Sequence, residues 1–166
     1  EGLSREYNFH PDWKALFQHK DRRFYEMMEG VEALPGVLRF IQELKQEGFK
    51  LALATSGQKR CADFVLEKFS LQPLFDAVVC ANDVRQSKPD PEIFLIAAER
   101  LQVAPEKCVV FEDSINGLRA AKSAGMYAIG ITGTFGPSAL QEADRIIHHF
   151  GEIDAHQIRL CKKRSD

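Results

Sequence analysis

The strongest constraint on this chain is an alternation of two kinds of segment. Short, nearly continuous apolar runs lie at Phe49 to Ala54, Ala77 to Cys80, Lys107 to Phe111, Met126 to Ile131 and Arg145 to Ile147. Between them come helix-like stretches: Gln58 to Phe69, Pro91 to Leu101, Ser114 to Ala124 and the short Ala139 to Ala143. Short loops join them. Strands buried on both faces read as unbroken apolar runs, and helices between them cover the faces. The alternation therefore predicts an α/β fold of the doubly wound kind, a parallel sheet with helices on both sides. Punctuation agrees. Pro35 can open a helix running to about Gln46, Gly48 and Gly125 stand where helices close, and Asp90 is a candidate N-cap.

The first 30 residues do not share this rhythm. Trp13, Leu16, Phe17, Phe24, Met27 and Met28 fall at mixed three- and four-residue spacing with basic residues between, which predicts a helix over about Asp12 to Met28. The chain thus divides into a helical appendage at 1–30 and an α/β core at 31–166. A length of 166 residues suits one such domain with a real core.

Charge and cysteine usage narrow the partners. The formal net charge is -2, so no strong field selects nucleic acid or an anionic membrane, and the basic Lys162 to Arg164 reads as a solvated end. No apolar run is long enough to span a bilayer, and Glu1 to His10 is charged, without a signal-peptide core. Cys61, Cys80, Cys108 and Cys161 are scattered without a C-x-x-C pair, which reads as free thiols in a reducing cytoplasm. His148 and His149 are adjacent, so on a strand they point to opposite faces and make a poor zinc pair.

In doubly wound sheets, ligands bind beyond the carboxyl ends of the strands. Three strand ends carry chemistry. Thr55-Ser56-Gly57 follows the first run and offers a hydroxyl and bare N–H groups to a phosphate, or else forms a plain tight turn and helix cap. Ser87-Lys88-Pro89-Asp90-Pro91 follows the second. Its prolines pin Lys88 ahead of a helix start, a poor place for a cation unless an anion sits there; the plain alternative is a surface lysine. Glu112-Asp113-Ser114 follows the third. Two carboxylates at the end of a buried strand are costly to desolvate without a cation, and hard oxygens suit Mg2+; Asp113 or Ser114 can instead simply cap the next helix. Together, a hydroxyl, an ammonium and a carboxylate pair fit phosphoryl transfer, which needs charge neutralisation and positioning above all.

The strings Leu53-Ala54-Thr55-Ser56-Gly57, Ser87-Lys88-Pro89-Asp90-Pro91 and Val110-Phe111-Glu112-Asp113-Ser114 match the second, third and fourth motifs of the haloacid dehalogenase superfamily. The flanking Glu32 to Val37, Asn116-Gly117, Ala120-Ala121 and Ala124-Gly125-Met126 resemble its beta-phosphoglucomutase-like branch, which includes many sugar-phosphate phosphatases. The resemblance runs from about Leu34 to Ile147 and implies a Mg2+-dependent phosphatase or phosphomutase of small phosphorylated metabolites. It implies a role for each matching residue. Thr55, with the backbone N–H of Ser56, holds the transferring phosphoryl group. Lys88 neutralises charge there. Asp113 binds Mg2+, with Glu112 beside it as ligand or outer neighbour.

One departure stands out. The family opens with an apolar strand ending in Asp-x-Asp-Gly, whose first Asp attacks phosphorus to give an aspartyl-phosphate. Asp12, Asp21, Asp63, Asp76 and Asp83 lie in other contexts, and none belongs to Asp-x-Asp. In this branch a helical cap follows that strand, so residues 1–30 resemble the last part of such a cap. The expectation is that the nucleophile lies upstream, and that the sheet has a gap in its middle. The alternative is a non-catalytic module that keeps a phosphate cradle without a nucleophile. A dinucleotide binder fits poorly, since no G-x-G-x-x-G follows the first run.

Overall fold

The computed structural model describes residues 12–161. The charged segment Glu1 to His10 and the basic tail Lys162 to Arg164 lie outside the described residues. The chain forms two compact units, Glu1–Glu32 and Ala33–Asp166.

In the first unit, helix α1 (Trp13–Glu29) begins at Asp12, whose carboxylate accepts the Ala15 N–H at 3.0 Å. This is an N-cap, so Asp12 has a structural task of its own. His19, Arg22 and Arg23 are exposed on the helix.

The second unit opens with α2 (Val37–Gln46), which ends at Gly48 in the left-handed conformation. Strand β1 (Ala52–Ala54), helix α3 (Lys59–Lys68), strand β2 (Ala77–Val79) and helix α4 (Glu92–Leu101) follow. Then come β3 (Val109–Glu112), α5 (Ile115–Ser123), β4 (Tyr127–Ile131), β5 (Arg145–Ile147) and α6 (Ala155–Leu160). Every strand pair is parallel.

Helices cover both faces. On one side α4 and α5 bury Ile93, Phe94, Leu118 and Ala121 with Val79, Val110 and Ala128. On the other, α2 and α6 bury Phe40, Leu44, Ala155 and Ile158 with Ile129, Ile131 and Ile147. Within β3, Val110 joins the first cluster while Val109 and Phe111 join the second. That is the two-residue alternation of a strand read on two apolar faces at once. Phe40, Phe111 and Phe150 form an aromatic triangle with ring centroids 5.4–5.6 Å apart.

The sheet is in two pieces. β1 pairs with β2, and β3, β4 and β5 form a separate ladder in that order. No described strand pairs with the free edge of β1 or of β3. The division separates β1, which leads into Thr55, from β3, which ends in Glu112.

Several expectations need correction. The segment Ala139 to Ala143 is not a helix. A short 3-10 turn, Pro137–Ala139, takes in its first residue, and Leu140 is buried. Five residues are too few to hold a helix by local bonds alone. Here the chain instead presses against β4, where a Cβ on Gly130 would lie 3.2 Å from that of Ala143. The run from Lys107 starts as a 3-10 turn at Pro105–Lys107, because proline cannot donate to a ladder. Pro91, not Asp90, is the residue that flanks α4, and Asp90 accepts the Glu92 N–H from outside at 2.9 Å. Helix α6 has no counterpart among the helix-like stretches of the sequence, although Asp154 and Gln157 form the reciprocal cap that marks a helix start.

All four cysteines are free, and burial pushes the Cys80, Cys108 and Cys161 thiols up. Among the described residues no helix is long and apolar enough to cross a membrane.

Candidate active site

The site grows from three loops that leave the carboxyl ends of β1, β2 and β3. Beyond β1, Thr55 stays in the ladder through its N–H to Val79 O at 2.9 Å. Its Oγ1 accepts the Gly57 N–H at 3.0 Å, closing a tight turn. A hydroxyl that accepts from its own turn still has its proton to donate. Ser56, at the tip of this turn, is exposed.

Beyond β2 the chain is tied down twice before it reaches Lys88. Asp83 accepts the Cys80 N–H at 2.8 Å and pairs with Arg100 at 2.6 Å. The Arg100 guanidinium, and then the Cys80 N–H, hold the Asp83 carboxyl below the usual carboxylate range. Glu92, in the first turn of α4, accepts the N–H groups of Arg85 at 2.8 Å and Gln86 at 2.7 Å. Lys88 therefore enters the site from a braced loop. Its side chain is only 11% exposed. The ammonium pairs with Glu112, lies 3.4 Å from Ala54 O, and sits 4.7 Å from the centre of the Phe94 ring. One cation thus reaches the last residue of β1 and the last residue of β3.

Beyond β3, Glu112 is the buried charged residue of the core. One carboxylate oxygen accepts from Lys88, and the other accepts from Ser114 Oγ at 2.9 Å and Ser114 N at 3.3 Å. Ser114 Oγ also accepts the Gly117 N–H at 3.0 Å and so caps α5. The positive end of α5 favours the carboxylate there. The arrangement requires a glycine at 117: a Cβ there would lie 2.0 Å from the Glu112 carboxyl carbon. A side chain at 117 would force the Glu112 carboxylate out of the position it holds.

Asp113 points to a different partner. Its Oδ2 accepts from Thr134 Oγ1 at 2.5 Å, and Oδ1 has no hydrogen-bond partner among the described residues. Adjacent carboxylates therefore have separate surroundings, with Glu112 committed to the lysine and the helix cap and Asp113 holding one oxygen open. Among the described residues no three His, Cys, Asp or Glu side chains converge on a point. One or two carboxylates are what Mg2+ takes from a protein when phosphate and water complete its shell, so this donor set fits that ion.

A cleft of about 500 Å³ runs along these loops, lined by Ser56, Lys88, Ser114, Asn116, Arg119 and Phe135, among others. Of the expected site residues, Ser56 and Lys88 line this cleft; Thr55, Glu112 and Asp113 do not, although they stand at the carboxyl ends of β1 and β3, and Lys88 contacts Glu112. Sequence reasoning missed Thr134 and Phe135. The loop that bears them follows β4, and its Thr132 to Gly136 string reads only as a turn.

Comparison with known proteins gives the family of the chain. Residues 4–125 match the model of the haloacid dehalogenase-like hydrolases. The chain is 45% identical over 116 residues to the phosphorylated carbohydrates phosphatase of Thermotoga maritima, covering 70% of this chain and 52% of that protein. It is 38% identical over 122 residues to the beta-phosphoglucomutase of Bacillus subtilis, covering 71% and 53%. It therefore spans about half the length of the curated relatives it matches. Among solved structures, CbbY from Rhodobacter sphaeroides in complex with phosphate superposes with a TM-score of 0.75 at 30% identity, over 90% of this chain and 72% of that one. With its parallel strands, its helices on both faces and this match over most of its length, the chain belongs to the haloacid dehalogenase-like hydrolase family.

Proposed function

We propose that these residues form the core of a Mg2+-dependent phosphatase or phosphomutase acting on small phosphorylated metabolites, sugar phosphates above all. The observation that carries this reading is Lys88. A nearly buried ammonium between the ends of β1 and β3 is placed to meet an anion that sits across both strands. The relatives named phosphorylated carbohydrates phosphatase and beta-phosphoglucomutase support that substrate class.

In this reading the Thr55 hydroxyl and the Ser56 N–H donate to oxygens of the transferring phosphoryl group. Lys88 offsets the charge on that group and on the attacking carboxylate. Asp113 offers Oδ1 to Mg2+, and Glu112 keeps Lys88 in place from the adjoining position. Bound Mg2+ supplies charge neutralisation on the phosphate. The attacking aspartate lies upstream of these residues, on an apolar strand that fills the interruption between β1 and β3. Its carboxylate forms a bond to phosphorus as the sugar oxygen leaves and takes up a proton, and water or a second hydroxyl then takes the phosphoryl group. Residues 1–30, of which 12–30 are described, form the last part of a helical cap. The protein works in the cytoplasm with its cysteines as thiols.

The second reading, a phosphate-binding module without turnover, is favoured by one fact: Asp-x-Asp does not occur in the sequence. Phosphate release from a panel of sugar phosphates separates the two. A protein joining these residues to an apolar strand that ends in Asp-x-Asp-Gly is expected to hydrolyse at least one of them with Mg2+. Lys88→Ala in that protein is expected to cost about a hundred- to thousandfold in turnover, as loss of one preorganised donor does elsewhere. No release across the panel would remove the enzymatic reading and leave the binding module.

A further inference from the structure

We propose that Thr134 is a positioning residue for Asp113, fixing the carboxylate so that Oδ1 alone faces an incoming divalent cation. The inference rests on the reading of Asp113 as the metal-holding carboxylate.

Three observations carry it. The first is the contact itself. Thr134 Oγ1 donates to Oδ2 at 2.5 Å, at the short end expected for a hydroxyl bonded to a charged carboxylate. A carboxylate on a free rotor can turn either oxygen outward, or both. Here one oxygen is tied and the other has no hydrogen-bond partner among the described residues.

The second is where the donor comes from. Asp113 and Thr134 stand on the loops that follow neighbouring parallel strands, in which Glu112 is registered with Gly130. The β4 loop begins at Thr132, whose N–H is held by Ile147 O at 3.0 Å. Two residues later Thr134 reaches across to the β3 loop. Thr134 is exposed, and added Cβ atoms at Gly133 and Gly136 would meet nothing within 4 Å. The loop is not packed down, so burial does not explain why this hydroxyl bonds Asp113.

The third is the division of labour between the two acids. Glu112 takes its hydrogen bonds from Lys88 and Ser114, within the residues that build the cleft. Asp113 has no such neighbour, and Thr134 fills that place. Carboxylates that bind metal ions are themselves commonly hydrogen-bonded, and losing the outer partner typically costs ten- to a hundredfold in affinity.

The test is Mn2+ titration of the protein, with free Mn2+ followed by electron paramagnetic resonance, for wild type, Thr134→Val, Thr134→Ser and Asp113→Asn. Thr134→Val is expected to raise the Mn2+ dissociation constant by about ten- to a hundredfold. Thr134→Ser, which keeps the hydroxyl, is expected to stay close to wild type, and Asp113→Asn to abolish binding. Should Thr134→Val lower the melting midpoint, Thr134→Ala is titrated in its place. Unchanged Mn2+ affinity in the hydroxyl-free variant, with binding abolished in Asp113→Asn, would overturn the positioning role alone. Wild-type affinity in Asp113→Asn would instead overturn the reading of Asp113 on which it rests.

Discussion

At the scale of single residues, the site is a set of commitments that each side chain has made before any ligand arrives. Glu112 is the case where this shows most sharply, because its place depends on an atom that is missing: the Cβ of residue 117. Gly117→Ala should raise intrinsic helix propensity in α5. The new methyl would nonetheless overlap the Glu112 carboxyl group, and overpacking of this kind costs about 2 kcal/mol. Chemical denaturation should therefore show net destabilisation, where an ordinary helix glycine would show a gain. The sequence made Thr55 and the acid pair legible because each follows an apolar run directly, and Lys88 because its Pro-flanked string lies in the loop between such a run and a helix. It could not separate Glu112 from Asp113. Adjacent carboxylates look alike on the page, and their difference arises from Lys88, 24 positions away, and from Thr134, 21 positions away.

At the scale of elements, Asp76 does for the scaffold what Lys88 does for the site. Placed just ahead of β2, its carboxylate accepts from Lys45 of α2 at 2.7 Å and from the Leu51 N–H ahead of β1 at 2.8 Å. The Lys45 ammonium, then the Leu51 N–H, hold the Asp76 carboxyl below the usual carboxylate range. A carboxyl whose pKa is lower in the folded than in the unfolded chain adds stability above the unfolded value, about 3.9. That contribution fades as pH falls through the folded value. Thermal melting of Asp76→Asn and wild type should therefore differ at pH 7 and converge as the pH falls below the folded carboxyl's lowered value. Most elements could be read in advance because burial on two faces leaves a plain apolar run. The exceptions have local causes. Ala139 to Ala143 has helix-like composition but is too short to sustain a helix and packs closely on Gly130 instead. Helix α6 is only six residues long, and its signal lay in the Asp154–Gln157 cap rather than in its periodicity.

At the scale of the whole molecule, the α/β unit Ala33–Asp166 is laminated by two apolar clusters but divided along its sheet. β4 is paired on both sides, whereas β1 and β3 are each paired on one. Hydrogen exchange should accordingly be slowest in β4 and faster in β1 and β3, with the amides on the unpaired edges leading. A polypeptide supplying an apolar parallel strand should slow exchange in β1 and β3 selectively. Equal protection of all three strands before that addition would argue that the division closes in solution. Across the interruption the described side-chain link is Lys88, which touches the end of each bordering strand. A parallel strand entering the slot would finish beside that ammonium, so whichever residue terminates it is delivered straight to the charged groups. On the proposed reading, pairing along those two edges and the arrival of a reactive group at Lys88 would be a single event.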